Sequence, residues 1–384
     1  MTLDRPFNIG PFQSDVLNLS RWVAALLVVI EHLRSLLFAE YGDAGRLGPI
    51  GKAFYFVTNF GHQAVMVFFA MSGFLVGGKV LDRLLRGNFE WPQYGVDRVS
   101  RLYAVYVLAL LLGCALDWIG YHHLNELGLY NQIRPSHIAL IDHDFSQDLT
   151  VPVFWVNLVM CQTILGPVLG SNGPLWSLAN EAWYYLAGPL LFVLLFGRKT
   201  SSRMVGIIGL AFVVWFLPGS ILVYALVWLL GAGLYFINGR VLLPLWVSLV
   251  LFGVSFVNAR LLWIPNGYIT DFLIGISFAL VINSAAGGSH RILGHVWSNA
   301  AAAFSYSVYL CHCSFLIFVV SWLFHLGWID PSRSPTPRLA GIFLLVLLAA
   351  YVWCYLISLV TERQTSRIRA WLGKHLIQKL GIGV

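Results

Sequence analysis

Charge is what this sequence has least of. Only 11% of its 384 residues are Asp, Glu, Lys or Arg, against about a quarter in a soluble domain. With 58% hydrophobic residues and a mean hydropathy of +0.75, the chain reads as a membrane protein. Cysteine is scarce too, at five: Cys114, Cys161, Cys311, Cys313 and Cys354. Their number is odd, they lie mainly in apolar stretches, and none has zinc-finger spacing. They are read as packing residues, and no metal site is expected. The polar stretch from Met1 to Asp15 lacks a small-residue cleavage motif, which argues against a cleavable signal peptide. Aromatic and basic residues are not interleaved as in nucleic-acid binders. The net charge of +7 is read instead against a bilayer, where basic excess marks cytoplasmic loops.

What the chain does have is long apolar runs. They fall near 19–38, 59–78, 101–119, 175–197, 203–218, 220–237, 241–258, 268–286, 301–325 and 339–361. This predicts an all-α polytopic membrane protein of about ten transmembrane helices. An eleventh run, 152–169, contains Pro152, Asn157, Gln162, Gly166 and Pro167. Loop charge decides its place. With the N-terminus inside and this run not spanning, 17 of the 24 Lys and Arg fall on the inner side. If it spanned, the Arg198, Lys199 and Arg203 cluster would face out, against the positive-inside rule. The run is therefore expected on the outer side as a re-entrant or interfacial segment, walled by protein or lining a vestibule.

The domain reading is a transmembrane domain over 1–361 and a tail over 362–384, a basic amphipathic helix expected on the inner leaflet. No appended soluble domain and no internal repeat is expected. The loop 79–100 is basic and inner. The loop 120–151 is polar and outer, and its His122, His123, His137 and His143 are read as surface residues because their spacing is irregular. His62 is a candidate for the outer mouth.

Several polar residues interrupt the apolar runs. Arg21 and His32 are eleven residues apart in the first run, so they share one helix face about 16 Å apart along the axis. Ionisable groups inside a membrane are costly and usually mark a path or a site. Glu181 lies roughly 10 Å below the outer boundary, a depth close to that of His32. Ser177 is four residues before it, on the same face. A carboxylate beside an imidazole orients it and keeps it basic. Arg98 and Arg101 open the third run on one face. With Arg21 they make three guanidiniums suited to phosphate oxygens. A ligand with a phosphorylated head and a long thin arm would match this plan. Plainer readings stand beside it: membrane anchors for the arginines, and an interhelical hydrogen bond for His32. His312 between Cys311 and Cys313 is not a metal cluster, since helix neighbours point about 100° apart.

Together these pieces resemble the acyltransferase-3 family of integral membrane acyltransferases, which O-acetylate bacterial surface glycans. The stretch Leu17 to His32 is similar to the family's opening motif, with its arginine-to-histidine spacing. Val67 to Leu75 resembles its FF-x-x-SGF-L element, and Arg98-Val99-Ser100-Arg101-Leu102-Tyr103 its R-x-x-R-x-Y. Leu175-Trp176-Ser177-Leu178 with Glu181 and Tyr185 is similar to LWSL-x-x-E-x-x-x-Y. Ser305-Tyr306-Ser307-Val308-Tyr309-Leu310 with His312 resembles SYS-x-YL-x-H. Two positions depart from the pattern: Asn18, where an acid is usual, and Glu31, where an apolar or aromatic residue is usual.

The resemblance implies ten helices, a cytoplasmic acyl-CoA donor (acetyl-CoA as the family default), and a carbohydrate acceptor across the membrane, such as an exopolysaccharide. It places the chain in a bacterial inner membrane with both termini cytoplasmic. CoA phosphates would meet Arg21, Arg98 and Arg101. His32 would be general base, tuned by Glu181, with Ser72, Ser177 and Tyr185 along the substrate tunnel. A covalent route through Ser177 or His32 stays open, as does a homodimer. The competing readings are a transporter or flippase of a glycan or lipid-linked intermediate, and an inactive partner subunit.

Overall fold

The structure is a computed structural model and describes residues 7–131, 140, 143–237, 239–330 and 335–377. His137, and Arg5, Arg134, Arg333 and Lys379 among the 24 Lys and Arg counted by side, lie outside the described residues. In chain order the helices are α1 (Pro11–Leu37), α2 (Pro49–Val57), α3 (Gly61–Ser72), α4 (Gly78–Leu85), α5 (Trp91–His123), α6 (Val151–Leu158), α7 (Leu175–Phe196) and α8 (Thr200–Phe216). There follow α9 (Gly219–Gly233), α10 (Leu245–Leu261), α11 (Gly267–Ala285), α12 (His295–Ala302), α13 (Ser305–His325), α14 (Pro337–Val360) and α15 (Thr365–Leu372). Among the described residues there is no strand, only the isolated bridge between Gln162 and Gly166.

The chain is an all-α polytopic membrane protein. Among the described residues, eight helical stretches are long and apolar enough to cross a bilayer. Two shorter apolar helices, α8 and α10, coincide with the runs read near 203–218 and 241–258. The eleventh run forms only the 8-residue α6, about 12 Å long and too short to span. Beyond it the backbone turns through left-handed conformations at Met160 (φ 57°) and Thr163 (φ 64°). The side chains of Asn157 and Gln162 bond back to backbone groups, as non-helical backbone at membrane depth requires, although the buried Gln162 Oε1 has no partner among the described residues. The Asn157 amide donates to the Val153 and Pro167 carbonyls and its oxygen accepts from Leu169 N. Gln162 donates to Leu175 O.

One expectation needs correction. Arg98 and Arg101 do not open their helix: α5 begins at Trp91, about two turns earlier. Helical hydrogen bonding runs on past the apolar stretch that hydropathy detects, and much of the basic loop 79–100 is helical for the same reason. Ser72 is the last residue of α3. The helix continues through a π-helical stretch, Gly73–Gly77, into α4.

Tertiary contacts divide the chain into two compact units. The first comprises Met1–Ala24, His62–Arg98 and Asn180–Ala302. It is built on close backbone approach of α9 to α3 and the π-helical stretch that follows it. A Cβ on Gly73 would lie 1.8 Å from the Trp228 carbonyl oxygen, and one on Gly231 1.9 Å from that of Ala70. Such contact through small residues is how membrane helices gain packing without a hydrophobic drive. Asp15 anchors the segment before α12, accepting from Arg291 at 2.7 Å and from Ile292 N at 3.1 Å. The departure at Asn18 has a local partner: its amide donates to Asn299 Oδ1 at 2.8 Å.

The second unit comprises Ala25–Gly61, Val99–Ala179 and Ala303–Val384. Its least expected element is Asp117 on α5, 1% exposed, which accepts from Ser171 N at 2.8 Å and Ser171 Oγ at 2.6 Å. Ser171 Oγ, its one hydrogen given to Asp117, accepts from Ser314 Oγ of α13 at 3.1 Å, and Asn172 donates to Leu310 O of the same helix. The turn before α7 is thereby tied to α5 through Asp117 and to α13 through Ser314 and Leu310. The other departure, Glu31, accepts from Gly61 N at the start of α3 and so caps that helix.

Candidate active site

The second unit pairs two histidines. His32 Nδ1 lies 2.9 Å from His312 Nε2, with the rings stacked 5.1 Å apart. His312 is fully buried and His32 half-buried. One helical contact assigns the protons. His312 Nδ1 lies 2.8 Å from the Val308 carbonyl oxygen, which only accepts, so this nitrogen carries a hydrogen. In neutral His312, Nε2 is then an acceptor, and His32 Nδ1–H must be the donor to it. Neutral His32 is left with its lone pair on Nε2. The arrangement has the logic of a general base held in one tautomer by a partner behind it.

Tyr309 stands one turn from His312, ring centroids 6.3 Å apart. Its hydroxyl is 2.6 Å from Ser177 Oγ, and both hydroxyls reach the Pro174 carbonyl at 3.2 Å. Ser177, a sequence candidate, is buried in the first turn of α7, just after the turn that Asn172 fixes to α13. Arg101 pairs with Glu362 at 3.0 Å and lies over the Tyr306 ring. Glu362 is 8% exposed and accepts from both Ser307 N and Ser307 Oγ at 3.0 Å. It caps the first turn of α13, the helix that carries His312.

The first unit gathers the remaining candidates. Tyr185 donates to Glu181, Ser72 donates to Tyr185 at 3.2 Å, and Trp228 Nε1 donates to Ser72 Oγ at 3.2 Å. The Arg98 guanidinium lies 5.5 Å from the Tyr185 ring centroid and 5.7 Å from that of Tyr94. Its Nε is buried and has no hydrogen-bond partner among the described residues. A desolvated N–H of this kind needs an acceptor. Arg21, half-buried on α1, belongs to the same unit.

Three helices contribute to both units, and each expected pair is divided between them. Arg21 and His32 on α1, Arg98 and Arg101 on α5, and Glu181 and Ser177 on α7 each have one member per unit. The structure brings Ser72, Tyr185, Glu181 and Arg98 together in one, and His32, Ser177 and Arg101 in the other. Glu181 is hydrogen-bonded to Tyr185, and His32 to His312. Residue-by-residue reading gave no role to His312, Tyr309, Glu362 or Asp117. A signal for the first two existed: their spacing of three puts them on one helix face. Among the described residues no group of three or more His, Cys, Asp or Glu is placed to hold a metal ion.

The family model described as an acyltransferase domain matches residues 15–361. The chain belongs to the acyltransferase-3 family. Acyltransferase MdmB of Streptomyces mycarofaciens is 26% identical over 186 residues, 48% of this chain and 40% of that protein. An uncharacterized protein of Haemophilus influenzae is 27% identical over 146 residues, 38% of this chain and 54% of its own length. The chain thus spans about half the length of these relatives or less. No solved structure matches it. Family membership and the apolar helices agree on a multi-pass membrane protein of the acyltransferase class.

Proposed function

We propose that this chain transfers an acyl group, acetyl in the first instance, from cytoplasmic acyl-CoA to a hydroxyl of a carbohydrate acceptor on the far side of a bacterial inner membrane. The observation that carries the reading is the His32–His312 hydrogen bond, whose direction the Val308 carbonyl sets. His32 Nε2 takes the proton of the acceptor hydroxyl as its oxygen attacks the thioester carbonyl. The C–O bond forms, the C–S bond breaks, and the imidazolium returns the proton to the departing CoA thiolate. His312 holds the ring and shares the charge that develops on it.

We assign donor binding to the arginines. Arg98, stacked on tyrosines with an orphan Nε, suits a CoA phosphate, as do Arg21 and Arg101. Glu181, Ser72 and Tyr185 form the polar wall along the pantetheine arm. The test is thioester consumption by the purified protein with acetyl-CoA and a sugar acceptor. His32→Ala should abolish turnover while acetyl-CoA still binds. Undiminished turnover in a folded His32→Ala protein would refute the assignment. A flippase would not bind acetyl-CoA.

A further inference from the structure

A second histidine–acid cluster lies within the first unit, at the N-terminal ends of α3, α9 and α11. His62 Nε2 is 2.8 Å from Asp271 Oδ2, and the Tyr224 hydroxyl donates to the same oxygen at 3.2 Å. The Asp271 side chain is only 6% exposed, whereas that of His62 is 43% exposed. Both bonds fall on Oδ2, and among the described residues none donates to Oδ1. Tyr268 is exposed and lies three residues before Asp271, on the same face of α11. Its ring is 5.6 Å from that of Tyr224, which in turn lies 6.3 Å from Phe69.

The chemistry of this cluster is selective. A carboxylate held by two donors on one oxygen, its other oxygen accessible at the edge of a nearly buried side chain, is free to accept from a further donor. The negative charge disfavours a phosphate or a carboxylate ligand, so the cluster does not suit the donor's phosphorylated head. The tyrosine shelf beside it offers flat apolar area with polar edges. A ring that carries hydroxyls on its rim and C–H groups on its faces matches both: one hydroxyl donates to Asp271 Oδ1 and a C–H face lies on Tyr268. In the orientation expected from loop charge, residues 62, 224, 268 and 271 all fall at the outer ends of their helices.

We propose that His62, Tyr224, Tyr268 and Asp271 form the acceptor subsite and bind a sugar ring. This rests on the carbohydrate acyl-transfer reading above. The test uses the full chain in lipid nanodiscs. Saturation-transfer NMR is recorded with the methyl glycosides of glucose, galactose, mannose and rhamnose as probes, and acetyl-CoA binding is measured calorimetrically in parallel. Saturation transfer to at least one glycoside is expected. The signal should weaken about tenfold in Tyr268→Ala and in Asp271→Asn and survive in Tyr268→Phe, with acetyl-CoA affinity unchanged. Tyr268 is exposed, so its loss leaves the fold intact. Equal glycoside signals in wild type and both variants would overturn the proposal, and so would their absence in the wild type. Glycoside binding lost in the variants, in a protein that does not bind acetyl-CoA, would support the sugar site and remove the transfer reading alone.

Discussion

His312 lies directly behind His32: its Nε2 accepts from His32 Nδ1 at 2.9 Å, and its own Nδ1 donates to Val308 O. The direction of this relay originates in α-helical geometry, because a carbonyl four residues back is an acceptor whatever the side chains do. A neutral imidazole here does the orienting that a carboxylate does in a serine hydrolase triad. Being fully buried, His312 is placed to act through His32 rather than on substrate.

That relationship orders the effects of substitution at His312. His312→Gln keeps an acceptor for His32 Nδ1 and should retain part of the activity. His312→Leu removes it and should lower kcat by about 100-fold. The acetyl-CoA KM should stay unchanged in both. Steady-state thioester cleavage separates kcat from KM, and a change confined to KM would contradict a positioning role.

Arg98 should show up in donor affinity. Arg98→Ala is expected to raise the acetyl-CoA Kd about tenfold, and Arg98→Lys to recover little of it, because a lysine loses the planar stack on Tyr94 and Tyr185. Calorimetric titration with CoA and with dephospho-CoA checks this. Equal binding by wild type and Arg98→Ala would exclude the assignment.

Glu362 should matter for stability. It accepts from Ser307 N and Ser307 Oγ and faces Arg101. Glu362→Ala removes a helix cap and leaves a partly buried guanidinium without its carboxylate, a loss of about 2 kcal/mol. Glu362→Gln keeps one acceptor for Ser307 and should lose about half as much. Thermal unfolding in detergent should rank the proteins as wild type, Gln, Ala.

The glycines separate sharply. Gly73→Ala would set a Cβ 1.8 Å from the Trp228 carbonyl oxygen, and backbone cannot yield as a side-chain tip can. That variant should fail to accumulate as a monodisperse protein. Gly253→Ala, with nothing within 4 Å of its Cβ, should be neutral or stabilising by up to ~1 kcal/mol. Expression and size-exclusion chromatography of the two variants make the comparison.

Composition, hydropathy and motif order made the class, the helices and the candidates legible. Hydropathy runs placed helices such as α7 and α11 to within a residue or two, because burial in lipid leaves a composition signal that needs no neighbours. Loop charge kept 152–169 from spanning, and α6 is indeed only a short helix there. Ordered motifs named the family and picked out His32, Glu181 and the arginines. Which side chain meets which emerged with packing alone. His312 looked unremarkable until α13 met α1. Glu362 read as the first residue of a tail until it capped α13, and Asp117 gave no sign of its serine. The ends of α5 and the π-helical passage after Ser72 were equally invisible. The physical reason is the same in each case. Apolarity and helical period are properties of one segment, whereas a hydrogen bond between residues 280 apart in the chain exists only once packing has brought them within 3 Å.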